Sequence, residues 1–210
     1  MPNVPNLMRT SRRLILRDHV DAPTIRAFAE NSGWRFVGDT GDAAGAPEGG
    51  LCYEAKWAVD DGGSVHYVVD EFADVHYMVT AHAHADAAEA TLADIENGLA
   101  VWTLDELLDD CYVHVYPAGW AKALLRLGAG APPHAVEPVV EHVTYSAGHE
   151  DAPVRRAALW AMAYTAWPEF ENALARIADT DRDPQVAREA RLALEQLAES
   201  GVIEPGRAQA

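Results

Sequence analysis

The sequence predicts an α+β fold, with an N-terminal antiparallel sheet that carries helices on one face and a C-terminal array of paired helices. Two observations lead to this prediction. Apolar and polar residues alternate in three successive segments, 51–59, 65–69 and 75–81. Beyond residue 103 the apolar residues recur instead at helical spacing, and stretches of the chain resemble one another.

The first predicted elements are a strand at residues 13–19 and a helix. Asp21 supplies an N-cap for this helix, and Pro23 suits its first turn. Gly33 is a suitable stop, and a short strand is expected at residues 34–37.

The three alternating segments predict adjacent antiparallel strands joined by short turns. If Val59 faces Val65 and Val69 faces Tyr77, the odd-numbered apolar residues of all three strands lie on one face, which we expect to be the core. The opposite face then carries the even-numbered residues Cys52, Glu54, His66, Asp70, His76, Thr80 and His82.

A helix is predicted at residues 85–97, with Leu92, Ile95 and Leu99 on its apolar stripe. Residues 99–103 are expected to add an edge strand. The resulting order of strands and helices is loosely ferredoxin-like.

The C-terminal half contains an internal repeat. Residues 151–161 match residues 183–193 at an offset of 32, sharing Asp, Val, Arg and two Ala. The helices that precede them match at an offset of 34, and a weaker copy lies between residues 104 and 127. Because one helix pair cannot bury its apolar stripe alone, we expect successive pairs to stack.

The matched positions resemble the HEAT-repeat family, in which a loop Asp is followed by Val, Arg and Ala on the second helix of each unit. Here they are Asp151, Val154, Arg156 and Ala158, then Asp183, Val186, Arg188 and Ala190. The resemblance covers the second half of the chain and implies a protein-binding module. It also implies that Asp151, Arg156, Asp183 and Arg188 are structural residues that link neighbouring units.

These patterns divide the chain. We predict the α+β domain at residues 11–102, HEAT-like repeats at residues 103–200, and flexible ends at residues 1–10 and 201–210.

The charge balance favours a protein partner. The chain has 16 basic and 33 acidic residues, a net charge of −17. This charge repels phosphate backbones and anionic lipids, so we expect no nucleic acid and no membrane as partner. A basic protein surface fits better, although the same charge can serve solubility alone. No long apolar run or signal peptide is apparent, and we expect a cytoplasmic protein.

A metal or acid–base site is the alternative on the sheet. In the predicted register Asp70 lies opposite His76, with Glu54 on the next strand, and such a row of carboxylates and imidazole could hold a divalent metal. The same residues would serve equally as ordinary cross-strand charge pairs. Cys111 and His114 suggest a thiol–imidazole pair, against which stands a buried structural thiol.

Partner-binding residues are predicted on the repeats. Trp160 and Tyr164 are of types that are enriched at binding hot spots, although such residues also fill solenoid cores. Arg155 and Arg191 add positive charge near them.

The sequence therefore predicts a non-catalytic adaptor or scaffold that binds a protein and neutralises it if it is basic. Since glycine-rich nucleotide loops and nucleophile elbows are missing from the sequence, we expect no cofactor. An enzyme remains open through the sheet site or, by family analogy, as a bilin-lyase-like protein.

Overall fold

The computed structural model describes residues 9–40, 51–59 and 62–203. The chain forms two compact units, residues 1–103 and residues 104–210. The α+β class predicted from the sequence is confirmed, with the sheet N-terminal to the helical array. Of the flexible ends predicted at residues 1–10 and 201–210, residues 1–8 and 204–210 lie outside the described residues. Gly201–Ile203 are described, and Ile203 is buried.

The sheet of the first unit is antiparallel, and its main strands are neighbours in sequence order. The strands are β1 (Arg9–Thr10), β2 (Leu14–Ile15), β3 (Arg35–Asp39), β4 (Leu51–Ala58), β5 (Ser64–Asp70) and β6 (Val75–His82). Strands β3, β4, β5 and β6 follow one another across the sheet, and both β1 and β2 pair with β6. This is a meander, so the loose likeness to a ferredoxin-like domain does not extend to the strand order. The flexible end predicted at residues 1–10 contains β1. The edge strand expected at residues 99–103 is a single bridge between Leu16 and Val101.

Two helices cover one face of this sheet. They are α1 (Ala22–Asn31) and α2 (Ala85–Gly98). The Asp21 carboxylate caps α1 by accepting from the Thr24 N–H at 2.9 Å. The core between sheet and helices is made of Leu14, Ala55, Trp57, Val65, Tyr67, Met78, Ile25, Ala29, Leu92 and Ile95.

The pairing of β5 with β6 differs from the prediction. Val69 was expected to face Tyr77 but faces His76. The reason lies in the turn, which contains four residues, 71–74, with Asp74 in the left-handed region at φ 51°. The predicted pairing of Val69 with Tyr77 leaves only three residues for the turn. The observed turn is longer by one residue, and this shifts the pairing of the two strands by one residue. The even-numbered side chains of β6 therefore share a face with the odd-numbered side chains of β5.

The pairing of β4 with β5 preserves the predicted faces. Trp57, not Val59, faces Val65, and this shift of two residues leaves each side chain on the expected side. The opposite face is also buried in part, since Val68 and Tyr77 there are almost inaccessible. It is not the open polar surface that the alternation suggested.

The second unit consists of helices in sequential pairs. The pairs are α3 (Leu104–Val113) with α4 (Pro117–Gly130), α5 (Glu137–Ser146) with α6 (Ala152–Thr165), and α7 (Glu171–Thr180) with α8 (Pro184–Glu199). In each pair a ten-residue helix precedes a longer one. The longer helices α4, α6 and α8 pack against one another in succession. None of the described helices is long and apolar enough to cross a bilayer.

Helices α4 and α6 approach closely at Gly128. A Cβ placed on Gly128 would lie 2.5 Å from the Cα of Ala161 and 3.0 Å from its carbonyl oxygen. Those are backbone atoms, which cannot rotate away. The small residues on this face therefore set the distance between the two helices.

We expect Gly128→Ala to lower the free energy of unfolding by about 1–3 kcal/mol, because the new methyl group forces the helices apart. The better helix propensity of alanine offsets about 1 kcal/mol of the strain. Urea unfolding followed by circular dichroism measures the difference. The control is Gly148→Ala, whose new Cβ would meet its nearest atom at 3.4 Å. Equal stability of the two variants would contradict the close approach.

Candidate functional site

The structure does not bring the predicted metal ligands together. Glu54 and Asp70 lie on one face of the sheet and His76 on the other, because of the register of β6. The Asp70 carboxylate caps the turn, accepting from the N–H groups of Phe72 and Ala73 at 3.0 Å each. No group of three or more potential metal ligands occurs among the described residues.

Both ring nitrogens of His76 already have partners. Nε2 lies 3.2 Å from the Arg17 carbonyl oxygen, and Nδ1 lies 3.1 Å from the Tyr67 hydroxyl. A carbonyl oxygen only accepts, so Nε2 donates and Nδ1 accepts in the neutral ring. Burial lowers the pKa of His76, which favours this neutral form. The arrangement is a structural hydrogen-bond bridge.

Glu54 belongs to a polar row that the sequence did not reveal. Its carboxylate lies 2.5 Å from His66 Nδ1, and His66 Nε2 lies 2.8 Å from the Ser64 hydroxyl. The order of groups is that of a nucleophile, a base and a carboxylate that orients the base. Ser64, however, is only 4% exposed, so a substrate carbon cannot approach its hydroxyl. We interpret the row as a satisfied polar ladder of the sheet.

Arg155, predicted to contact a partner, is a buried structural residue. It is 5% exposed, and its guanidinium forms two hydrogen bonds of 2.8 Å with the Asp181 carboxylate. Its remaining terminal nitrogen donates to the carbonyl oxygens of His149 and Glu150. Asp181 holds the pKa of Arg155 above its ordinary value. Arg155 thus joins the loop before α6 to the loop before α8, and the predicted surface role is corrected.

Arg156 makes a second link between successive helix pairs. Its guanidinium donates twice to Glu189 on α8, at 2.7 and 2.8 Å. The Trp160 indole N–H donates to the same carboxylate at 3.0 Å. Desolvation by burial opposes the ionised form of Glu189, but the hydrogen bond from Arg156 and that from Gln185 lower its pKa on balance. Arg156, for which a structural role was expected, bonds here to the next helix pair. Trp160, which was predicted to bind a partner, is half-buried and contributes to the same link.

The remaining predicted residues are dispersed. Asp183 caps α8 by accepting from the Gln185 N–H at 2.8 Å, whereas Asp151 begins α6 without a side-chain cap and lies 3.7 Å from His149. Arg188 is exposed on α8, and Arg191 donates to the Ala178 carbonyl at 2.6 Å. Tyr164 is half-buried on α6.

A groove that sequence reasoning missed lies where α3, α4 and α5 meet. Its volume is about 320 Å³, and its lining consists of Cys111, Tyr112, His114, Trp120, Glu141, His142 and Tyr145. Cys111 and His142 are almost fully buried and form its floor, whereas Tyr112 and Tyr145 are exposed and form its rim. We call these seven residues the aromatic groove.

The rings of the aromatic groove contact one another. Trp120 and Tyr145 stack with an interplanar angle of 22° and centroids 6.3 Å apart. The Tyr112 ring lies edge-on to His142 with centroids 4.6 Å apart. Beyond the groove, His149 lies edge-on to Trp120 at 4.9 Å. Ring contacts of this kind hold the aromatic surface in place.

Two buried nitrogens in the groove lack hydrogen-bond partners among the described residues. They are Trp120 Nε1 and His142 Nε2. Burial lowers the pKa of His142, which favours the neutral ring. A buried polar atom without a partner is costly, and a ligand or an ordered water is one way in which its hydrogen bond is completed.

The thiol in the floor is not a nucleophile. Burial raises the pKa of Cys111 to about 12, and its Sγ donates to the Leu107 carbonyl oxygen. A thiol with such a pKa holds its proton at neutral pH. His114 lies 3.3 Å from Asp110 instead of pairing with the sulfur. The groove is therefore not arranged for thiol chemistry.

The helices around the groove are acidic. Residues 104–146 contain six acidic and two basic residues. One of the basic residues, Arg126, is buried and lies 3.2 Å from Asp110. Glu141 lines the groove and is exposed, and it makes no ion pair with any described residue.

Comparison with known proteins adds no assignment, since no family model, curated protein or solved structure matches this chain.

Proposed function

We propose that this chain is a non-catalytic protein-binding module of the cytoplasm, built on HEAT-like helix pairs, whose partner docks on the aromatic groove and the exposed aromatic residues beside it. The observation that carries the proposal is the exposure of three tyrosines on one part of the helical unit. Tyr112 is 64% exposed, Tyr116 81% and Tyr145 73%.

Exposed aromatic residues favour a protein partner. Tyrosine offers a large, rigid contact area, and its hydroxyl group tolerates solvent in the free protein. Val113 at the end of α3 and Val115 in the segment before α4 are also exposed, so the apolar surface continues past the groove. A contiguous apolar patch with a polar rim is typical of an interaction surface.

The architecture of the second unit supports the same function. Two bonded links, Arg155 with Asp181 and Arg156 with Glu189, tie the second helix pair to the third. Such links make the stack a rigid platform, and a rigid surface loses less conformational entropy when it binds. The HEAT-like pattern of the sequence agrees with a platform of this kind.

A photo-crosslinking experiment tests the proposal. We expect benzoylphenylalanine in place of Tyr145, expressed in cells of the source organism, to yield a discrete adduct with one protein on illumination. The adduct should decrease at least about tenfold when Trp120→Ala is added, since truncation of a central aromatic residue costs about 2 kcal/mol or more at a hot spot. Gel electrophoresis and mass spectrometry measure its yield and identity.

The control places the same photoreactive residue at Leu192, an exposed apolar position on α8. We expect little crosslinked adduct from the photoreactive residue at position 192. Equal adducts at both positions, or an adduct at Tyr145 that is indifferent to Trp120→Ala, would refute a specific surface at the groove.

A further inference from the structure

The chemistry of the aromatic groove defines what part of a partner fits it. Its walls are aromatic faces, and Glu141 places a carboxylate beside them. Aromatic faces are electron-rich and attract cations, most strongly when the cation is removed from water. A flat cation that can also pair with a carboxylate would use both features.

The electrostatic surroundings favour a cation over a neutral group. The chain carries a net charge of −17, and the helices that form the groove contribute to this excess. Glu141 is not neutralised by an ion pair with the described residues, whereas Asp110 nearby already contacts Arg126 and His114. An arriving cation therefore meets an available carboxylate.

From these observations we propose that the aromatic groove receives an arginine side chain from a basic segment of the partner, with the guanidinium on Trp120 and Tyr145 and paired with Glu141. This inference rests on the proposed function and names the chemistry of the occupant. Arginine fits better than lysine because its planar guanidinium stacks on rings and can donate two parallel hydrogen bonds to one carboxylate.

The unpartnered nitrogens of the floor complete the site. His142 is 6% exposed, and its Nε2 has no partner among the described residues. The Trp120 indole N–H is a donor, which a backbone carbonyl oxygen of the inserted segment can satisfy. Both atoms are covered in the free chain. The exposed Tyr112 ring lies against His142, and side-chain changes that move such a ring are common on binding.

Short peptides test the inference on the intact chain. The probes are acetyl-Gly-Gly-Arg-Gly-Gly-amide and its citrulline, lysine and leucine counterparts. The protein carries 5-fluorotryptophan, and the ¹⁹F signal of Trp120 is assigned by its loss in Trp120→Phe. We expect the arginine peptide to shift this signal and the neutral, isosteric citrulline peptide to bind about tenfold more weakly.

Two matched variants on α5 isolate the carboxylate. Glu141→Gln should weaken the arginine peptide about tenfold and leave the citrulline peptide unchanged. Glu137→Gln removes an exposed carboxylate one helical turn away, outside the groove lining, and should change either affinity by no more than about twofold.

The outcomes separate this inference from the proposed function. If the leucine peptide binds as tightly as the arginine peptide, and Glu141→Gln changes neither affinity, arginine is refuted as the occupant. The groove could then still bind a protein through other groups. Arginine is also refuted as the occupant if no peptide shifts the Trp120 signal while the residue at position 145 still crosslinks to a protein. An arginine peptide that binds and depends on Glu141, without a crosslinked protein, supports the chemistry of the groove and contradicts the proposed function.

Discussion

Arg155→Ala is expected to lower the free energy of unfolding of the helical unit by about 3–5 kcal/mol. The variant leaves the Asp181 carboxylate, whose side chain is 4% exposed, without its counter-ion. It also removes the donor to the His149 carbonyl oxygen and one of the two donors, with Arg182, to the Glu150 carbonyl oxygen. An isolated buried charge is far more costly than the intact pair is stabilising. Urea denaturation measured by far-ultraviolet circular dichroism gives the difference.

Two further variants make this result specific. Arg188→Ala removes an exposed arginine from α8 and should change stability by no more than about 0.5 kcal/mol. The double variant Arg155→Met with Asp181→Leu removes both charges and should regain most of the loss. If the double variant were as unstable as Arg155→Ala, the loss of stability would come from the lost side-chain volume of Arg155 and not from the unpaired charge of Asp181.

The same pair predicts the direction of the acid response. The hydrogen bond from Arg155 lowers the pKa of Asp181 below its ordinary value. The folded state therefore binds the Asp181 proton less readily than the unfolded state. The stabilisation is present above the ordinary carboxyl pKa of about 3.9 and is lost as the pH falls below it. The stability gap between the wild type and Asp181→Asn should shrink over that range.

The elements of the fold could be predicted because their signals are local. Asp21 was identified as an N-cap from its neighbours alone, and its side chain makes the expected hydrogen bond. Apolar spacing placed the helices of the second unit in pairs. The register of β6 failed because it depends on one residue in a turn, which alternation of apolar and polar residues does not determine.

The role of Arg155 was missed for a different reason. The repeat comparison aligns Arg156 with Arg188. The structural role was therefore predicted for those two arginines and not for Arg155. The partner of Arg155 is Asp181, which lies in the loop of the next helix pair. A bond between neighbouring units is invisible to a comparison that treats each unit separately.

The aromatic groove could not be predicted because three helices contribute to it. Tyr112, Trp120 and Tyr145 are separated along the sequence, and each occurs at a spacing that a packed core would also explain. Their exposure depends on how α3, α4 and α5 stack. The signal available in advance was the density of tyrosine and histidine between residues 112 and 149, in a region with few basic residues.

A second large loss of stability is expected for Phe170→Ala, again about 3–5 kcal/mol. Phe170 ends the short 3-10 turn before α7, is 0% exposed, and stacks on Trp167 with centroids 5.7 Å apart. The Trp167 indole N–H donates to the Pro132 carbonyl in the loop before α5. The two rings thus connect the loops of successive helix pairs at the end of α6, so a cavity there weakens the stacking of pairs as well as local packing.

Phe170→Leu and Leu192→Ala serve as controls for this prediction. The leucine variant retains most of the buried volume and should lose about 1–2 kcal/mol, whereas truncation of the exposed Leu192 should cost about 0.5 kcal/mol or less. Chemical denaturation of the three variants gives the order. If Phe170→Ala cost no more than Leu192→Ala, the two rings would not connect the pairs, and the proposed platform would lack this apolar support.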